Sequence, residues 1–184
     1  MTAAIYFLCS FIYDGLPLSL LAVPIYFFLR LVFIAEQKHL NVFYKIDFNR
    51  EIIMLGFFVF MVHLFVQTFI VNITINELNL IPFAVIIKQI KELSFNVNTF
   101  KAFVLNIIGN VMIFAPIGMF APYLFKTDFK HTVLLGFLIS LTIEGGQLPL
   151  PRYSDVDDLI LNTTGAVVGY GIYTLLKKIK YTKN

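Results

Sequence analysis

Residues 102–125 read AFVLNIIGNVMIFAPIGMFAPYLF. This run contains no charged side chain, and it is longer than the roughly 20 apolar residues that a helix needs to cross the hydrocarbon core of a bilayer. The apolar run is interrupted by two asparagines and two prolines and by no charged residue. The stretch therefore predicts a membrane-spanning helix.

Four further apolar runs lie on either side of it, at Leu16–Ala35, Ile52–Val71, Thr132–Leu148 and Asp155–Leu176. Together they predict an all-α, polytopic transmembrane helix bundle of about five spans. A shorter apolar piece, Ala3–Tyr13, reads either as an interfacial lead-in or as an extension of the first span.

Composition excludes a water-soluble domain. The chain has 184 residues, of which 59% are hydrophobic and only 14% are charged, against about 25% charged residues in soluble domains. Its mean hydropathy is +0.83. The net charge of +3 comes from basic residues between apolar runs and at the C-terminus, which is typical of topology signals and not of a nucleic-acid surface.

A short amphipathic segment separates the second and third spans. Apolar residues recur in this segment at helical spacing, and charged residues fill another face of the same helix. The apolar residues are Ile81, Val85, Ile86, Ile90 and Leu93, and the charged residues are Lys88, Lys91 and Glu92. The pattern predicts an interfacial helix, with Pro82 in its first turn. We divide the chain into residues 1–78 with two spans, residues 79–176 with this helix and three spans, and a basic tail at 177–184.

The distribution of Lys and Arg predicts the orientation. Ten of the 14 basic residues fall on one side if the N-terminus lies outside and the C-terminus inside. The other four are Lys88, Lys91, Lys101 and Arg152. The positive-inside rule therefore favours this arrangement in a bacterial cell membrane, with an odd number of spans.

That orientation brings polar residues of three spans to one depth near the external surface. They are Asn106 and Asn110, Glu144 and Gln147, and then Arg152, Asp155, Asp158 and Asn162. Spacings of three and four residues place these groups on shared helix faces. Because ionisable groups within a membrane usually face a cavity or a partner, the pattern predicts a ligand-binding site. Arg152 is the expected counter-charge.

Four segments in this order resemble the VanZ-like family. They are NLIPF (79–83), NIIGNVMIFAPIG (106–118), SLTIEGGQ (140–147) and DVDDLILNTTG (155–165). The resemblance covers about residues 79–175. It implies a polytopic membrane protein associated with resistance to glycopeptides such as teicoplanin, and it does not define a molecular activity.

Two functions follow as hypotheses. The first is a non-enzymatic protein of the cell envelope whose partners are membrane lipids and which binds a lipid headgroup or cell-wall precursor. The alternative is a membrane enzyme acting on a lipid-linked substrate, with Glu144 or Asp158 as a general base. No metal ligand set with zinc spacing is present in the sequence, and no cofactor is expected.

Structural roles compete with these site assignments. Asp155 and Asp157 could cap the helix that they begin. The amides and Glu144 could hydrogen-bond between helices without binding a ligand. Gly165 and Gly169 form a GxxxG pattern that is typical of close helix packing. A lone His63 is expected to hydrogen-bond a neighbouring helix.

Overall fold

The computed structural model describes residues 13, 15–40, 46–70, 78–92, 97–147 and 154–182. Its elements, in chain order, are α1 (Ala22–His39), α2 (Phe48–Ile70), β1 (Leu78–Asn79), α3 (Ala84–Lys91), α4 (Val97–Phe103), a π-helical segment (Val104–Ile108), α5 (Gly109–Phe125), α6 (Phe129–Gln147), β2 (Ser154–Asp155) and α7 (Val156–Thr182). The chain divides into two compact units, Phe11–Ile70 on the one hand and Met1–Ser10 with Val71–Asn184 on the other. The predicted lead-in Ala3–Tyr13 lies, apart from Tyr13, outside the described residues.

The first unit is a pair of apolar helices joined by polar contacts. Residues 15–20 are also helical and are separated from α1 by a turn at Leu21. The interruption lies one turn before Pro24, which has no N–H to offer the preceding turn. Ser19 Oγ lies 2.7 Å from His63 Nδ1, so the lone histidine hydrogen-bonds a neighbouring helix as predicted.

A charged pair links α1 to α2 in the same unit. The Arg30 guanidinium donates two hydrogen bonds to the Glu51 carboxylate, of which the Nε–Oε2 distance is 2.9 Å. The Tyr26 hydroxyl donates a third bond to Glu51 Oε2 at 3.1 Å. Both charged side chains are largely buried. Arg30 is therefore neutralised within the helix pair, which weakens it as an orientation signal.

The second unit is organised by α5 and α7, which run parallel in direct backbone contact. A Cβ atom added at Gly118 would lie 1.9 Å from the Ala166 carbonyl oxygen, and one added at Gly169 would lie 1.9 Å from that of Ala115. Gly165 faces the Val111 carbonyl oxygen in the same way, at 2.4 Å. The GxxxG pattern therefore lets the two helices approach closely, as predicted.

Helix α6 runs antiparallel to both. It follows α5 after a three-residue link, 126–128, and it packs on α7 through Gly136 against Ala166 and Ser140 against Asn162. The exposed Asp128 side chain accepts the His131 N–H at 2.8 Å at the start of α6. This backbone hydrogen bond, with the His131 side chain, lowers the pKa of Asp128 below 3.8.

In the part of the chain that the structure describes, four segments are long and apolar enough to span a membrane, namely Gly15–His39, Phe48–Phe69, Asn98–Phe125 and Val156–Lys180. An all-α membrane bundle is confirmed. The fourth predicted span, Thr132–Leu148, corresponds to the helix α6. This helix is less apolar than the four segments above because it carries Lys130, His131 and Glu144. Its 19 residues extend about 28 Å. Since α5 and α7 are parallel, the chain must return between them, and α6 is the described helix that does so.

The amphipathic segment forms the helix α3, and its start differs from the prediction. Pro82 lies before the helix, in a turn in which the Ala84 N–H bonds the Ile81 carbonyl oxygen at 3.3 Å. Phe83 has a positive φ of 64°, as the third residue of a type II turn requires. Pro82 therefore shapes the turn before α3 and not the first turn of the helix itself.

Candidate functional site

The polar ends of α5, α6 and α7 meet at one end of the second unit. Asn110 Nδ2 donates to Asp158 Oδ1 at 2.7 Å and approaches Asn106 Oδ1 at 3.3 Å. Asn106 lies in the π-helical segment, and such segments within α-helices are frequent at functional sites. Two of the predicted amides and one predicted carboxylate are thus in direct contact.

Helix α6 contributes Glu144 and Gln147 to the same end of the unit. Glu144 is half-buried, and its carboxyl group is close enough to that of Asp158 for the two negative charges to interact. Gln147 is buried one turn further on. Arg152, the predicted counter-charge, lies outside the described residues.

Deeper in the unit, Asn162 joins α7 to α6. Its Nδ2 donates to Ser140 Oγ at 3.0 Å, and both side chains are buried. Ser140 was not among the predicted site residues. It stands four residues before Glu144 on the same face of α6, so helical spacing could have identified it.

Asp155 begins the face of α7 that continues through Asp158 to Asn162. Its Oδ1 accepts the N–H of Asp157 at 3.0 Å and the side-chain amide of Asn79 at 3.0 Å. The first contact caps α7, as the sequence predicts for this residue. Asn79 was not predicted as part of the site, although it belongs to the first of the four family segments.

Asp157 caps a different helix from the one that it begins. Its carboxylate accepts the N–H groups of Phe83, Val85 and Ile86, the last two at 2.9 and 3.0 Å. These are the free amides at the start of α3, which has no side-chain cap of its own. A carboxylate is favourable at this position because the amides and the helix dipole both attract negative charge. Asp157 lies in the first turn of α7, but its carboxylate caps α3 and not the helix that it begins, which was the structural role considered for it from the sequence.

A short backbone pairing reinforces this junction. Leu78 and Asn79 of β1 pair in parallel with Ser154 and Asp155 of β2. The pairing holds the NLIPF segment against the start of α7. All four segments that carry the family resemblance are therefore assembled at one end of α5, α6 and α7.

Two buried acceptor atoms in this cluster have no hydrogen-bond partner among the described residues. They are Asp155 Oδ2 and Asn162 Oδ1, on side chains that are 2% and 5% exposed. Burial raises the pKa of the Asp155 carboxyl above 3.8, and the neighbouring Asp157 charge adds to the effect. An unpaired buried acceptor is unfavourable. The cluster therefore has unused capacity to accept hydrogen bonds.

Among the described residues, no group of three or more His, Cys, Asp or Glu side chains is arranged to hold a metal ion. Asp157 is committed to backbone amides, and Asp158 to Asn110.

Comparison with known proteins identifies the family. The family model described as VanZ/LLP1 matches residues 51–177. This range is wider than the motifs, since it begins within α2. Searches of curated proteins and of solved structures found no match. Since the family model covers most of the chain, this membrane protein belongs to the VanZ/LLP1 family.

Proposed function

We propose that this chain protects the cell envelope by binding a lipid headgroup or cell-wall precursor, and that it thereby reduces susceptibility to glycopeptides such as teicoplanin. The observation that carries the proposal is the convergence of Asn110, Glu144, Asp158 and Asn162 from three helices at one end of the unit. Polar groups so placed in a membrane protein are typical of a binding site. The family name agrees with this role.

We further propose that the polar cluster faces the extracytoplasmic side of the bacterial cell membrane. Because α5 and α7 are parallel, Lys126, Lys130 and the Lys177–Lys180 end of α7 lie together at the end of the unit opposite to the carboxylates. The positive-inside rule assigns such a basic end to the cytoplasm. Glycopeptides act outside the membrane, where this orientation places the site.

The test is a susceptibility assay in a host that lacks the chain. Cells that express the parent protein should tolerate more teicoplanin than empty-vector cells. Glu144→Gln and Arg152→Ala should each abolish this difference, while immunoblots of membranes show unchanged protein levels. Thr142→Ala, at an exposed hydroxyl that bonds only within its own helix, should protect as the parent does. Full protection by both charge variants would reject the proposal.

The alternative is an enzyme that acts on a lipid-linked envelope substrate. The observation in its favour is the pair of neighbouring carboxyl groups, Glu144 and Asp158, with Asn110 fixing one of them. Such a pair can supply a general base while the amides orient a substrate. Turnover of an envelope lipid by the purified protein, lost in Asp158→Asn, would support this function. Absence of any product from cell-envelope lipid extracts would count against it.

A further inference from the structure

Three side-chain amides of the polar cluster donate hydrogen bonds within it, whereas two buried acceptor atoms have no partner in the described part of the chain. Asn110 Nδ2 donates to Asp158 and Asn106. Asn162 Nδ2 donates to Ser140, and Asn79 Nδ2 donates to Asp155. Asp155 Oδ2 and Asn162 Oδ1 are buried without a partner in the described part of the chain. A ligand that satisfies this cluster must therefore bring donors.

The carboxyl groups of Asp155 and Asp158 also favour a ligand that is positively charged. Among the described residues, neither Asp155 nor Asp158 forms an ion pair with a cationic side chain. The Asp158 carboxyl group lies close enough to those of Glu144 and Asp155 for their charges to interact. Asp157 differs, because the start of α3 compensates its charge. A buried carboxylate is stabilised by a cation with which it can hydrogen-bond, whereas a phosphate would be repelled.

We propose that the Asp155–Asp158 end of this cluster binds the protonated primary amine of an envelope headgroup. An ammonium group supplies three N–H donors and a positive charge, which complement the unpaired acceptors and the carboxylates of the described part of the cluster. Asn162 lies one turn beyond Asp158, about 6 Å further along α7, and its free Oδ1 accepts a second donor of the same headgroup. This inference rests on the proposed binding function and specifies the ligand chemistry.

The experiment compares a headgroup amine that has N–H donors with one in which three methyl groups replace them. The full-length protein is placed in nanodiscs of phosphatidylcholine, with or without phosphatidylethanolamine, and its thermal stability and lipid occupancy by native mass spectrometry are measured. Both headgroups carry a positive charge, but the choline nitrogen has no N–H. Ethanolamine lipid should bind and stabilise the protein, whereas choline lipid should not. Equal effects of the two lipids would overturn the proposal.

Variants link the effect to the site. Asp155→Asn and Asp158→Asn should each weaken ethanolamine-lipid binding about tenfold or more, because each removes a charged hydrogen bond. Asp128→Asn changes an exposed carboxylate at the opposite end of the unit and should bind as the parent does. Unchanged binding by both site variants would overturn the proposal.

A third comparison identifies the source of the amine. Free ethanolamine that competes with the lipid at equal concentration would still support the amine site, and would indicate a soluble ligand. The glycopeptide assay remains independent. If ethanolamine lipid binds through Asp155 but the charge variants still protect cells, the amine site stands and the envelope-protection role fails.

Discussion

Asp155, Asp157 and Asp158 lie within four residues, yet their carboxylates have different partners. Asp155 accepts from a backbone amide and from Asn79, and its other oxygen has no partner among the residues that the structure describes. Asp157 binds three amides of α3. Asp158 accepts from Asn110. The acidic run therefore combines a helix cap, an anchor for a neighbouring helix and a contact in the polar cluster.

Replacing Asp155 with Asn should make folding stability less dependent on pH. Because burial raises the pKa of Asp155, the folded chain binds this proton more tightly than the unfolded chain does. The parent therefore loses stability as pH rises from 3.8 through the raised value. Asp155→Asn has no such ionisation and keeps the Oδ1 acceptor. Thermal unfolding in detergent should show the variant to be the more stable protein at neutral pH, with the advantage gone below 3.8.

Replacing Asp157 with Ala should release the start of α3. The change removes the acceptor for three backbone amides, and a single hydrogen bond to a charged group contributes about 1.5–3 kcal/mol. Hydrogen exchange at Val85 and Ile86 should accelerate by at least about tenfold, as measured by mass spectrometry on peptides covering α3. Asp158→Ala is the control, because Asp158 does not contact α3 amides. Equal exchange in the parent and Asp157→Ala would refute the anchoring role.

At the level of elements, the parallel α5–α7 pair depends on glycines that allow backbone contact. Gly118, Gly165 and Gly169 each have a carbonyl oxygen where a Cβ would stand. Without a hydrophobic driving force between helices in lipid, such close packing is a main source of association. The position of the polar cluster follows from this contact, because it fixes Asn110 beside Asp158.

Gly169→Ala should push α5 and α7 apart. The new Cβ would meet the Ala115 carbonyl oxygen at 1.9 Å, and forced overpacking typically costs about 1–3 kcal/mol or more. The melting temperature of the solubilised protein should fall. Gly171→Ala is a matched control two residues away, where nothing lies within 4 Å of the added Cβ. A comparable loss in both variants would mean that close packing is not the cause.

The helices and part of the cluster could be predicted because their signals are local. Span length identifies the apolar helices, and the i,i+4 spacing of Asn106 and Asn110 places both amides on one face. The partner of Asp157 could not be predicted, because its contacts join residues more than 70 positions apart. Its position in a first turn suggested a local cap instead. The turn at Pro82 was missed because a positive φ at Phe83 is unusual for a bulky residue.

At the level of the whole molecule, charged side chains lie at both ends of the second unit. Glu144, Asp155 and Asp158 lie where α5 and α7 begin and where α6 ends, together with Lys88 and Lys91 of α3. Lys126, Lys130 and the lysines near the end of α7 lie at the opposite end, with Asp128. The amphipathic helix α3 is fixed to the acidic end through Asp157. Exposed apolar side chains of α3 and of the turn before it, among them Ile81, Phe83 and Ile90, are suited to insertion at the lipid boundary beside the cluster.

This asymmetry predicts the accessibility of introduced cysteines. In a Cys9→Ser background, Lys88→Cys should react with a membrane-impermeant maleimide added to intact spheroplasts. Lys130→Cys should react only after the membrane is permeabilised. Both positions are exposed, so burial does not explain a difference. The reverse pattern, with Lys130→Cys labelled from outside, would invert the proposed orientation and place the polar cluster at the cytoplasmic surface.

The anchoring of α3 by Asp157 also has a consequence for biogenesis. The ribosome synthesises Phe83 74 residues before the carboxylate that binds its N–H. Until the last span enters the bilayer, the leading amides of α3 must rely on water or on the translocation machinery. A nascent chain stalled before α7 should therefore expose this helix to quality-control proteases, and completed synthesis should protect it.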